Sequence, residues 1–140
     1  DIPAQLMEVE VTESVDLEGS SEAMAEILQL RAAGVSIALD DFGTGHSSLS
    51  YLQQLPLDIV KIDQSFVRRI QPAEGPGNSI LRAIIALAKA LHLEIIAEGV
   101  ETEEQHNWLA AEGCDIAQGY LHGKPVDRLE FEQRYLRQSA

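Results

Sequence analysis

Residues 35–63 read VSIALDDFGTGHSSLSYLQQLPLDIVKID, and the rest of the chain can be parsed outward from them. Val35–Asp40 (VSIALD) is a short apolar run with the character of a buried strand. Ser47–Leu55 has the spacing of a short helix, and Pro56 ends it. Asp58–Asp63 (DIVKID) is a second apolar strand. A strand, a helix and a strand within so few residues form a unit whose strands should be parallel, because the crossover returns the chain to the same end of the sheet.

The same alternation continues on both sides. Upstream, Leu6–Val11 reads as a strand. A helix follows, with Ser20 and Ser21 as caps, Met24, Ile27, Leu28 and Leu30 on one face, and Gly34 as its stop. Downstream, Gln71–Gly77 (QPAEGPG) has the composition of a mobile connection within the domain. Ile80–Leu91 is a helix and Leu93–Ala97 a strand. Thr102 and Gln105 make a capping box for a helix ending near Gly113. Asp115–Tyr120 is the last strand, and Asp127 with Glu130 caps a final helix, Arg128–Arg137. Five strands, each followed by a helix, leave two architectures: an open doubly wound sheet or a (β/α)8 barrel. A complete barrel takes about 31 residues per unit, so 140 residues make a little over half of one. The chain begins with Asp1 rather than Met, which is expected of a piece excised from a longer protein.

Composition narrows the partners. Hydrophobic residues make up 45% of the chain, enough for a core. A net charge of −13 argues against DNA, RNA and anionic membrane surfaces, which recruit clustered Lys and Arg. Cys114 is the only cysteine, so there is no disulfide framework; a buried structural thiol in a reducing compartment is expected. No apolar run reaches the roughly 18 residues of a membrane span. Placement in the cytoplasm follows as an expectation, with any membrane anchoring left to other domains of a parent protein.

Polar residues recur at the carboxyl ends of the strands: Glu10 and Glu13, Asp40 and Asp41, Lys61 and Asp63, Glu98 and Glu101, and Gln118. In parallel βα folds these ends face one side, where active sites lie. Carboxylates gathered there need a counter-charge, and hard divalent cations with oxygen ligands, Mg²⁺ or Mn²⁺, supply it. Adjacent Asp40 and Asp41 suit a pair of such ions. Two ions clamp an in-line displacement at phosphorus, and a neighbouring lysine holds water or screens charge. The turn Asp41-Phe42-Gly43-Thr44-Gly45 positions Asp41. It spells a kinase tripeptide, but the other kinase elements are missing.

The segments MEVEVTES (7–14), DDFGTGHSSL (40–49), VKID (60–63), AEGVET (97–102) and QGYLHGKP (118–125) together resemble the successive motifs of the EAL domain family. The resemblance implies a (β/α)8 TIM-type barrel, here about five carboxyl-terminal βα units, that hydrolyses cyclic di-GMP to linear pGpG with two Mg²⁺ or Mn²⁺ ions. It implies that Glu10 binds the first ion, Asp40 bridges both and Asp41 binds the second. Lys61 would contact the nucleophilic water, and Glu98 would lie at the second ion and assist deprotonation. Gln118 would hold water behind the ligands. Glu13 and Thr44 would steady the DFGTG loop, which in the family also leads to a homodimer interface. The strand bearing the Glu-Ala-Leu signature and the strand bearing a ligand asparagine are absent, so residues 1–140 are expected to be the carboxyl-terminal part of one EAL domain. Alone it should be inactive and should seek the missing amino-terminal half.

Two other readings compete: a degenerate EAL domain that binds cyclic di-GMP or protein partners without hydrolysis, and a free-standing half-barrel scaffold. Retention of Glu10, Asp40, Asp41, Lys61 and Glu98 favours catalytic ancestry. His46, His92, His106 and His122 lack paired metal spacing and are read as packing or surface residues, and Trp108 as core. Glu101 heads a helix and Glu8 lies one step below Glu10, so neither is chosen.

Overall fold

The computed structural model describes residues 2–12, 21–44, 52, 54–71 and 75–136. A 3₁₀ turn at Ala4–Leu6 leads into β1 (Glu8–Thr12). Then come α1 (Ser21–Ala32), β2 (Ser36–Phe42), β3 (Ile59–Ile62), α2 (Gln64–Val67), α3 (Pro76–Ala90), β4 (Glu94–Glu98), α4 (Glu103–Glu112), β5 (Ile116–Gln118) and α5 (Arg128–Phe131). A π-helical turn, Glu132–Leu136, continues α5.

All strand pairs are parallel, and the sheet order is β1-β2-β3-β4-β5. This order decides between the two architectures. A doubly wound sheet reverses direction at a switch point, which puts helices on both faces. Five strands laid down in sequence by right-handed crossovers keep their helices on one face, as a barrel wall does.

The two faces differ accordingly. Ile37, Leu39, Val60, Ile62, Ile95 and Ala97 point toward the helices and join Leu81, Ile85, Ala88 and Leu109 in the main core. Each large aliphatic chain buried there contributes about 1.5–3 kcal/mol. The opposite face carries a small apolar cluster of Ala38, Ile59 and Ile96. In barrel terms this is one layer of the interior, and the polar strand ends lie directly above it.

Several element boundaries differ from the sequence reading. β2 runs two residues past Asp40, into Asp41 and Phe42, because a bulge keeps the chain paired with β3. α3 begins at Pro76, not Ile80; proline suits the first helical position, so part of the expected loop is helix. Residues 72–74 and most of the expected 47–55 helix fall outside the described residues. α2, read only as part of a connection, is a true helix started by Asp63, whose carboxylate accepts the Ser65 N–H at 2.9 Å. On α1 only Ile27 is buried; Leu28 and Leu30 are 51% and 39% exposed, so the apolar stripe is narrower than expected. The last helix shortens and passes into a π turn before its expected end. Cys114 is half-buried rather than buried.

The α4 ends match the sequence closely. Thr102 and Gln105 form the reciprocal capping box, and Gly113 closes the helix in the left-handed conformation. No described helix is long and apolar enough to cross a membrane.

Candidate functional site

Residues level with each other in parallel strands share a face, and side chains alternate along each strand. Glu10 stands level with Ala38, Ala38 with Ile59, Lys61 with Ile96, and Glu98 with Gln118. Thr12 pairs with Asp40. Glu10, Asp40, Lys61, Glu98 and Gln118 therefore rise from the helix-free face, above the Ala38, Ile59 and Ile96 layer.

Lys61 is the hub. Its Nζ donates to Glu10 Oε1, forms an ion pair with Glu98 Oε1 at 2.7 Å and lies 3.6 Å from Asp40 Oδ1. The residue is only 6% exposed. Burial works against its charge. Hydrogen bonds to Glu10 and Glu98 and the charges of Glu98 and Asp40 outweigh burial, and its pKa rises above the ordinary lysine value. These partners favour the charged ammonium. Asp40 Oδ1 is buried and has no hydrogen-bond partner, since Lys61 is within ion-pair range but too far for a hydrogen bond.

Asp41 reaches the mouth by a different route. Strict alternation would send it to the helix-facing side. Between Leu39 and Phe42 the register with β3 shifts, and Asp41 adopts φ 56°. A left-handed non-glycine residue costs about 1–2 kcal/mol, and aspartate tolerates it better than most. The bulge leaves Asp41 exposed. Desolvation first, then the charges of Asp40, Asp63 and Glu10, raise its pKa, while Lys61 lowers it. Thr44 fixes the turn, its N–H and Oγ1 both donating to Asp41 O at 3.2 and 2.9 Å. Gly43 has φ 94°, and a Cβ there would lie 2.9 Å from the Phe66 ring, so the turn packs against α2 only with glycine.

The structure thus brings Glu10, Asp40, Lys61 and Glu98 together, with Asp41 at their rim and Thr44 behind it. Gln118 is level with Glu98 but exposed. Glu13 lies outside the described residues. Glu101 turns away to Arg68 at 3.8 Å. Beside Glu98 opens a cleft of about 230 Å³ lined by Gln64, Arg68, Glu98, Glu101, Gln118 and Tyr120. Arg68 was not singled out from the sequence; its one signal there is its position five residues after Asp63, on the stretch that follows a strand end.

Oxygen donors of this kind suit a hard divalent cation, and the partnerless Asp40 Oδ1 is the sort of atom such an ion would satisfy. The carboxylates are here gathered on the ammonium: among the described residues no three His, Cys, Asp or Glu side chains converge as a metal cage.

Known proteins resemble this chain in sequence and fold. The EAL domain family model matches residues 1–125. The chain is 43% identical over 132 residues to the cyclic di-GMP phosphodiesterase NbdA of Pseudomonas aeruginosa, covering 94% of this chain and 17% of that protein. It is 44% identical over 131 residues to the cyclic di-GMP phosphodiesterase PdeR of Escherichia coli, covering 94% and 20%. Among solved structures, the PaMucR phosphodiesterase in complex with c-di-GMP superposes with a TM-score of 0.83 at 40% identity, over 93% of this chain and 52% of that one. A manganese/cy-diGMP complex of Klebsiella pneumoniae BlrP1 gives 0.72 at 34% identity, over 86% and 30%. The chain therefore spans about a fifth of the curated relatives, and 52% and 30% of these two solved chains.

Proposed function

The chain belongs to the EAL domain family, and from that premise we propose that it is the carboxyl-terminal part of a domain hydrolysing cyclic di-GMP to linear pGpG in the bacterial cytoplasm. The observation that carries the reading is the buried Lys61 ammonium held among Glu10, Asp40 and Glu98 at one mouth of a parallel sheet. That layout suits an anionic phosphodiester in a site where carboxylates and cations must share space.

Two Mg²⁺ or Mn²⁺ ions, held by Glu10 and Asp40 and by Asp40, Asp41 and Glu98, would supply charge neutralisation at phosphorus and a more acidic water. The chain's own residues divide the remaining work. Lys61, as an ammonium, donates to the attacking water or to the phosphoryl oxygens. Glu98, beside it and half-buried, is the group placed to accept the proton. Gln118, level with Glu98, orients water from the next strand. Thr44 keeps the Asp41 turn in place, and Glu13 steadies the same loop. Arg68, in the cleft beside Glu98, offers a second positive charge to an anionic dinucleotide.

The relatives are several times longer than this chain. We place the remaining ligands, a glutamate and an asparagine, on strands outside residues 1–140, together with the other half of the barrel. Homodimerisation near the DFGTG loop belongs to the same proposal.

The test is Lys61→Ala in the complete domain, with activity titrated against Mn²⁺. A fall in kcat at saturating metal, with the metal requirement little changed, is expected. A large rise in the metal requirement with an unchanged saturated rate would contradict the role given to Lys61.

A further inference from the structure

Two parts of the chain are built alike. Even-numbered strands β2 and β4 are offset by 58 residues (36 to 94), and the joints that lead into them repeat bond for bond. Val35 N–H donates to Leu30 O, and Leu93 N–H to Ala88 O, both at 3.1 Å. Gly34 N–H donates to Arg31 O, and His92 N–H to Lys89 O. Gly34 and His92 are both left-handed, at φ 97° and 58°. Past the strands, Asp41 and Gly99 are both left-handed too, at φ 56° and 69°. The paired registers agree as well: Ala38 faces Ile59, and Ile96 faces Ile116.

At the foot of each pair sits an aspartate. Asp58 N–H donates to Ile37 O at 2.9 Å while its Oδ2 accepts Ile37 N–H at 3.1 Å. Asp115 N–H donates to Ile95 O at 3.1 Å while its Oδ2 accepts Ile95 N–H at 2.8 Å. The basic residue of the preceding helix repeats in place: Arg31 pairs with Asp58 at 2.8 Å, and Lys89 donates to Glu112 O just ahead of Asp115.

We infer that the chain contains two copies of one paired-strand unit, β2 with β3 and β4 with β5, and that Asp58 and Asp115 are equivalent positioning residues fixing the register within each pair. Three residues above each clamp stand the mouth residues. Asp40 and Lys61 rise from the first pair, Glu98 and Gln118 from the second. A register slip of one residue would turn every one of them to the wrong face. The clamp closes a ladder at its foot with a side-chain acceptor, so an N–H that a first strand residue would leave open is satisfied and the slipped pairing is disfavoured. Gln118 thereby occupies in the second unit the place Lys61 holds in the first.

The experiment measures hydrogen exchange by mass spectrometry on peptides containing Ile37 and Ile95, in Asp58→Ala, Asp58→Asn, Asp115→Ala and Asp115→Asn. Each alanine variant should speed exchange of its own strand peptide by about tenfold and leave the other nearly unchanged. Each asparagine variant, whose side-chain oxygen can still accept, should restore protection. In the complete domain, Asp115→Ala should lower kcat with little change in KM, and Asp115→Asn should recover it. Equal exchange in alanine and asparagine variants, no change in either, or loss of folding in the asparagine variants overturns the inference. Failure of the wild-type domain to hydrolyse cyclic di-GMP would defeat the proposed function but not the clamp, which the exchange data decide alone.

Discussion

Replacing Lys61 with methionine keeps most of the side-chain volume and removes the charge at the centre of the site. Each ammonium–carboxylate pair near 4 Å represents about 4 kcal/mol of gross attraction at an effective dielectric near 20. Desolvation of a lysine that is 6% exposed takes back a large share of it. Removing one partner of a buried ion pair typically costs about 3–5 kcal/mol. The Glu10 side chain is 47% exposed and can rehydrate, whereas those of Asp40 and Glu98 are 20% and 23% exposed and are left facing each other. The expected destabilisation at neutral pH and low salt is then about 2–3 kcal/mol. Urea unfolding followed by circular dichroism should show the midpoint falling by about 1–2 M. A loss below about 0.5 kcal/mol would show that the cluster is not the electrostatic unit described.

Other consequences follow from the packing. Asn78 is 2% exposed, with Oδ1 accepting Gln71 N–H at 3.1 Å and Nδ2 donating to Gln71 O at 3.0 Å; Asn78→Ala should cost about 2–3 kcal/mol in the same assay, and a neutral result would refute its role in tying α3 to the chain before it. Burial, supported by Asp115, lifts the Cys114 thiol above its ordinary pKa. Iodoacetamide should therefore modify it about tenfold more slowly in the folded chain than in urea at neutral pH. Because the unfolded thiol ionises first, its contribution to stability should decline as pH climbs past the ordinary thiol value; equal alkylation rates in both states would count against this. Ile2, Leu6 and Met7 are exposed in the segment leading into outer strand β1, and Ile116 is exposed on outer strand β5. The chain alone should associate in sedimentation runs and leave cyclic di-GMP uncleaved, gaining activity when mixed with the remaining strands of its domain. Full activity of a monomer would contradict that.

The sequence carried the alternation of strands and helices because buried parallel strands are short apolar runs and their helices begin and end at identifiable caps, as at Thr102 and Gly113. It also carried the convergence of Glu10, Asp40, Lys61 and Glu98, since polar residues at successive strand ends can only meet at one mouth. The choice between barrel and doubly wound sheet needed either the family motifs or the strand order, which no local pattern encodes. The bulge at Asp41 was hidden for a similar reason: a left-handed aspartate looks like any other in sequence, and only the lost alternation against β3 reveals it. The hub role of Lys61 was not visible either, because how many carboxylates one ammonium can reach depends on three neighbouring strands. The Asp58 and Asp115 clamps share an Asp-Ile pair and an isoleucine partner, Ile37 or Ile95, too little for sequence alone to reveal a repeat that lies mainly in backbone bonds. α1 misled because its apolar residues exceed what the sheet can cover.

The central claim is that the carboxylates around Lys61 form the site of phosphodiester hydrolysis, and its most direct test is Asp40→Asn in the complete domain. Cyclic di-GMP is incubated with wild type and variant in the presence of Mn²⁺, and pGpG is quantified by chromatography, with circular dichroism recorded on both. The account predicts loss of product formation by at least about a hundredfold with the fold retained, because the substitution removes the carboxylate expected to serve both ions. Near-normal turnover in a folded Asp40→Asn protein would contradict it.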